Sequence, residues 1–247
     1  MLDRVYNIKY FHYQELDSTN QKIYQLAIEN ADDWSVVWCD RQIHGRGYGL
    51  NHWISEPYQN ATFSFLLRKP FEAEKDLPIL NMWISLKIVE FLTKWQIQAH
   101  VKWPNDIWVG RKKISGILIQ NKLTGSRVKF TIIGIGINLN QIEFNGISAT
   151  SIQLENPAVH IVPQEFIKNI MEFFYDEFIT FTPMNYDKIS QAYNANLLRI
   201  NQISVFEKEG KKFMGIIRKV TQNGEIIIET ENGSLNAFKH KEISLIH

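Results

Sequence analysis

The segment Lys102-Trp103-Pro104-Asn105-Asp106, followed by Lys112-Lys113-Ile114-Ser115-Gly116-Ile117-Leu118, crowds ammonium groups, a carboxylate and an amide around a Trp-Pro corner. Fixing such groups together is costly unless they handle a charged molecule. Pro104 disfavours the helical region for Trp103 and sets the corner. Asn105 and Asp106 are suited to ligate a metal or orient a substrate. Gly116, inside a strand-like run, leaves room for a ligand to approach the backbone. The bland alternative is a β-hairpin with a tryptophan plug and solvated lysines. Upstream, Gly45-Arg46-Gly47 offers backbone amides and a guanidinium able to wrap an anion, although an ordinary surface loop has the same composition. It is not a dinucleotide fingerprint, because Leu50 holds the last glycine position and Asn51-His52-Trp53-Ile54 does not open a helix. No Gly-Lys-Ser/Thr is present either. Together the two segments suit chemistry that holds a phosphate-type group beside a carboxylate.

Two further stretches are ambiguous. Ile133-Gly134-Ile135-Gly136-Ile137-Asn138 is an apolar strand whose glycines mark either close packing or space for a ligand beside Asn138. Asp17-Ser18-Thr19-Asn20 is a helix start whose hydroxyls can also pair with a polar ligand head.

These residues need elements to position them. Ile8 to Leu16 and Ser35 to Cys39 read as strands, and Ser18 with Gln21 forms a capping-box pattern for a helix to about Asn30. Arg41 to Asn60, rich in Gly, His and Asn, is a long loop of the kind that is functional or mobile; the expectation is that it orders over a ligand. Ala61 to Arg68 alternates like a strand. Leu77 to Trp95 carries apolar residues at helical spacing. Strands are expected at Val101–Trp103, Ile107–Val109, Ile114–Asn121 and Val128–Leu139, with helices near Pro163 to Phe178 and over Tyr186 to Ala195. After Leu198, Glu209-Gly210, Asn223-Gly224 and Asn232-Gly233 punctuate apolar runs, the pattern of a hairpin meander. The expected fold is α/β (α+β), with a mixed or antiparallel sheet packed on helices and a small closed or half-open barrel at the C-terminal end.

Composition sets limits. The chain has 247 residues, 45% of them hydrophobic and 21% charged, which suits one main domain with a sizeable core. With 27 basic against 26 acidic residues there is no electrostatic case for nucleic acid or anionic membrane. The single cysteine, Cys39, excludes an internal disulfide framework. No apolar run reaches membrane-spanning length and no signal segment is visible, so a cytoplasmic location is expected.

In chain order, Asp17-Ser18-Thr19-Asn20, Gln42-x-x-Gly45-Arg46-Gly47, Trp53-x-Ser55, Lys102-Trp103-Pro104-Asn105-Asp106, Lys113-x-x-Gly116-Ile117-Leu118, Gly134-Ile135-Gly136-Ile137-Asn138 and Ala149-Thr150-Ser151 resemble the biotin protein ligases. The resemblance implies a class II synthetase-like catalytic domain over 1–197 and an SH3-like barrel over 198–247. It implies that biotin and ATP combine as biotinyl-5′-AMP with Mg²⁺, and that a lysine of a biotin carboxyl carrier protein then takes the biotin. Arg46 and Lys113 would be catalytic. Ser18, Thr19, Gln42, Gly45, Arg46, Lys113 and Gly116 would meet biotin. Arg46, Gly47, Trp53, Asn105, Lys113 and Asn138 would meet the adenylate, and Asn105 and Asp106 the metal. Only 17 residues precede Ser18, so the ligase-only form is expected, as monomer or homodimer, without DNA or membrane partners. Three departures stand out: Tyr48 where the family has a second loop arginine, Gln120 for an acidic residue, and Tyr58-Gln59 for a glycine-containing turn. A lipoate-type ligase and a non-catalytic binding protein are the competing readings.

Overall fold

The computed structural model describes residues 6–47, 52–69, 71–125 and 127–246. Tyr48, Gly49, Leu50 and Asn51, and with them the second-arginine departure, lie outside the described residues.

Seven strands form the larger sheet: β1 (Lys9–Leu16), β2 (Ser35–Gln42), β3 (Asn60–Leu67), β4 (His100–Lys102), β5 (Asp106–Val109), β6 (Lys112–Thr124) and β7 (Arg127–Asn138). Their order is β1-β2-β3-β7-β6-β5-β4. β1 and β2 run parallel through the crossover helix α1 (Thr19–Ile28), and every other neighbouring pair is antiparallel. The sheet is therefore mixed, as expected.

Helices α2 (Ala73–Leu92) and α4 (Pro163–Glu177) cover one face, with the short α3 (Ile152–Glu155) and α5 (Tyr186–Ala195) beside them. The packing there is largely aromatic. Phe65 of β3 meets Phe174 of α4, and Trp83 of α2 meets Phe174, Phe178 and Phe181. Such ring pairs add to the stabilisation their burial supplies. α1 packs on the opposite face through Ile23 and Ala27 against Val37, Leu66, Phe130 and Ile132.

Two local expectations are corrected. α2 begins at Ala73, before the expected Leu77, and carries Pro78 inside it; Asp76 accepts from the backbone N–H of Glu72 at 2.8 Å and holds the extra turn. The Ser18–Gln21 capping box does not form. The backbone N–H of Thr19 donates instead to Gln42 Oε1 at 2.8 Å, so a buried helix-end donor without an intrahelical partner is satisfied from β2.

The smaller sheet comprises β8 (Ile203–Lys208), β9 (Lys211–Val220), β10 (Ile226–Thr230), β11 (Leu235–Phe238) and β12 (Ser244–Ile246), ordered β11-β10-β9-β8-β12 and antiparallel throughout. The meander is as expected, with β12 as an addition; no pairing of β11 with β12 closes it among the described residues. Apolar packing and hydrogen bonds bind this sheet to the rest of the protein. Phe206, Ile217, Val220, Ile226 and Ile228 belong to the same buried cluster as the main core. Asn194 of α5 donates to Val220 O at 3.0 Å and accepts from Val220 N at 2.5 Å. Val220 is buried, so Asn194→Ala strands two backbone groups. We expect a loss of about 2 kcal/mol, read as a lower urea midpoint; an unchanged midpoint would mean that the Asn194 hydrogen bonds do not help hold the smaller sheet.

Candidate active site

The strand register explains the glycines. One row across the larger sheet reads Thr62 of β3, Gly136 of β7, Gly116 of β6, Asp106 of β5 and Lys102 of β4. Polar groups stand at both ends of this row, with two glycines between them. A Cβ at Gly136 would collide with the Trp53 indole, and one at Gly116 would press on Lys113 and Trp53. The neighbouring row carries Ser64, Gly134 and Leu118, and a Cβ at Gly134 would collide with the Asn20 amide. The glycines thus make a shallow floor on which Trp53 and Asn20 lie. Above it opens a cavity of about 540 Å³, a size suited to a small molecule.

At the charged end, Lys113 Nζ pairs with Asp106 Oδ1 at 2.7 Å and lies 5.7 Å from the Trp53 ring centre. Its backbone is fixed by the Ser148-Ala149-Thr150 segment: Lys113 N donates to Ser148 O, and Thr150 N donates to Lys113 O. Lys102 sits across from Asp106 with its ammonium 4.1 Å from the Trp108 ring centre. Burial pushes the Lys102 ammonium below its ordinary range; Asp106 opposes that shift and Lys113 adds to it.

The Trp-Pro corner is clamped from four directions. Pro104 O accepts from Asn81 of α2 at 2.8 Å and from the Tyr193 hydroxyl of α5 at 2.9 Å. Trp103 Nε1 donates to Gly224 O of the smaller sheet at 2.9 Å, and Asn105 Nδ2 donates to Ile117 O at 2.6 Å. The Trp103-Pro104 peptide is cis. These contacts explain the residue types at the corner and leave Asp106 as the carboxylate it presents.

At the opposite end stands a polar wall. Gln42 Oε1 accepts from the Thr19 backbone N–H and from its hydroxyl, and Ser64 Oγ lies 2.7 Å from Thr19 Oγ1 and 2.6 Å from Asn20 Oδ1. Asn20 Nδ2 donates to Gln120 Oε1 at 2.9 Å. Gln120 thus accepts a hydrogen bond where the family pattern has a carboxylate.

Of the sequence-derived candidates, Ser18, Thr19, Gln42, Arg46, Gly47, Trp53, Asn105, Asp106, Lys113 and Gly116 line the cavity together. Gly45 is not among the lining residues; its carbonyl accepts from Trp53 N at 3.0 Å, and a Cβ would strike the Trp53 backbone and the Gln42 amide. Asn138 shares the face of Gly134 and Gly136 but is not among the residues lining the cavity. It is buried, its Nδ2 donates to Thr150 O at 2.9 Å, and its Oδ1 has no protein partner among the described residues.

No site role was expected of Thr62 or Asn20, nor of residues 240–245 of the smaller sheet, which also line the cavity; Ser64 supports Thr19 and Asn20 by hydrogen bonds. In the sequence, Thr62 and Ser64 read only as strand alternation. All eight residues of β3 are buried, yet Asn60, Thr62 and Ser64 are polar at every second place.

The match to known proteins follows this architecture. Residues 12–138 match the model of the biotin/lipoate A/B protein ligase family, so the chain belongs to that family. Within it the similarity is to biotin protein ligases. The chain is 35% identical over 131 residues to the bifunctional ligase/repressor BirA of Bacillus subtilis, covering 53% of this chain and 40% of that protein. It is 25% identical over 227 residues to the biotin--[acetyl-CoA-carboxylase] ligase of Paracoccus denitrificans, covering 88% and 92%. It superposes on the Aquifex aeolicus biotin protein ligase in complex with biotin and ATP with a TM-score of 0.78, at 26% identity, over 96% of this chain and 98% of the other. The chain spans about two fifths of the length of the Bacillus relatives it matches.

Proposed function

We propose that this protein joins biotin to a lysine of a biotin carboxyl carrier domain, consuming ATP through biotinyl-5′-AMP. One observation carries the reading: a single cavity holds a neutral polar wall at Thr19 and Gln42, a glycine floor, and the Lys113–Asp106 pair at its far end. That layout matches a molecule with a ureido head and a carboxylate tail.

In the first step a carboxylate oxygen of biotin attacks the α-phosphorus of ATP, and the bond to the β-phosphate breaks to release pyrophosphate. Both reactants are anions, so the protein's task is to offset their repulsion. Lys113 stands where the carboxylate and α-phosphate meet, and Arg46 covers them from the loop. Trp53 lies against the floor as the surface for adenine. In the second step the acceptor lysine's amine attacks the acyl carbon, AMP leaves, and the amine loses a proton as the amide forms.

The donor set bears on Mg²⁺. Among the described residues no three His, Cys, Asp or Glu side chains gather into a metal cluster. Asp106 is one carboxylate and already faces Lys113, while the Asn105 nitrogen is engaged with Ile117 O. This fits an ion carried mainly by the triphosphate, with Asp106 as its protein contact; bound there, it would neutralise phosphate charge.

We read residues 1–197 as a class II synthetase-like catalytic domain and 198–247 as an SH3-like barrel. Supporting the second is the five-stranded antiparallel meander. The functional test supplies purified protein with ATP, a carrier domain, and either biotin or lipoate. Biotin labelling of the carrier is expected; labelling by lipoate alone would overturn the proposal.

A further inference from the structure

Among the described residues, two buried polar atoms on the cavity wall have no protein partner: Trp53 Nε1 and Thr62 Oγ1. Thr62 has no role in the mechanism above. It is only 5% exposed, in the middle of β3. Buried hydroxyls are ordinarily hydrogen-bonded, and one left bare is a net cost to the fold.

Its surroundings make the lack of a partner specific. Ser64, two residues along on the same face, is engaged with Thr19 and Asn20. Asn60, two residues the other way, donates to Ser55 Oγ and Gln141 Oε1 and accepts from Leu139 N. Thr19 is tied to Gln42. Every other polar side chain of that strand face is therefore occupied by protein, and Thr62 alone is bare and borders the cavity. Three strand spacings separate Thr62 from Asp106 along the row through Gly136 and Gly116, a span of about 14 Å.

We propose that the Thr62 hydroxyl is a further recognition group for the neutral head of the substrate, exchanging a hydrogen bond with its ureido group. A hydroxyl both donates and accepts, so it can meet the urea carbonyl or a urea N–H. This assignment rests on the function proposed above. Its consequence is a selectivity term: a head with no polar group there leaves Thr62 unpaired and is disfavoured.

The test uses the full chain without ATP, titrated with biotin by calorimetry, with Thr62→Val and Thr62→Ser as variants. Valine keeps the shape and removes the hydroxyl. Biotin affinity should fall about tenfold in Thr62→Val, while Thr62→Ser should stay close to the unsubstituted protein. The ligand-free Tm of Thr62→Val should equal or exceed that of the parent, because a bare buried hydroxyl has been removed. Unchanged biotin affinity in Thr62→Val would overturn the assignment. A ligand-free Tm lower by several degrees would also overturn it, by showing that the hydroxyl serves the fold. If the unsubstituted protein binds no biotin, the proposed function itself fails and the assignment with it; a failure confined to the variant strikes Thr62 alone.

Discussion

Lys113→Ala should lower biotin-dependent ATP–pyrophosphate exchange by about 10²–10³-fold, while biotin affinity without ATP falls far less. The asymmetry follows from position. Lys113 is at the charged end of the cavity, 2.7 Å from Asp106, and far along the row from the polar wall that would hold the biotin head. Its positive charge matters most where two anions meet, which happens only as the phosphate transfer begins. Removing the side chain also leaves Asp106 without its partner, adding a negative charge to a site that must accept more of them. Lys113→Arg keeps the charge but places a planar fork where a compact ammonium was fixed, so it should recover only part of the rate. An exchange rate unaffected by Lys113→Ala would remove Lys113 from the chemistry.

Gly134→Ala should abolish measurable biotin binding at micromolar concentrations and lower stability by about 1–3 kcal/mol. The new methyl group would occupy the position of the Asn20 amide. Asn20 cannot yield freely, because it is held by Ser64, by Gln120 Oε1 at 2.9 Å and by Leu118 O at 3.3 Å. Its displacement disturbs Thr19 at the start of α1, and with it the polar wall. Calorimetric titration and a urea melt read the two effects separately. Normal biotin affinity in a destabilised Gly134→Ala protein would show that Asn20 supports the fold without shaping the pocket.

The parts of this site that were legible in the sequence are those whose chemistry is local. The Lys102-to-Asp106 corner and the Lys113-to-Leu118 strand announce themselves because charged residues, a proline and a glycine sit where an apolar hairpin was otherwise expected. The hairpin meander after Leu198 was visible through Asn-Gly and Glu-Gly turns, and the helix expected over Tyr186 to Ala195 forms as α5. What escaped depends on long-range geometry. The donor to Gln42 lies 23 residues away, so α1 was assigned a local capping box it does not use. Thr62 and Ser64 read as ordinary alternation until β3 proved buried along its whole length. The partner of Asn138 Nδ2, Thr150 O, lies 12 residues further on and is not read from the glycine pattern of β7. The 240–245 turn reaches the cavity only because the smaller sheet docks where Trp103 meets Gly224.

If one cavity brings biotin and ATP together for adenylation, ATP–pyrophosphate exchange by the unsubstituted protein, measured with and without biotin, reads it out. Exchange that appears only when biotin is present is the predicted result. Exchange that is absent, or that proceeds equally without biotin, would contradict it.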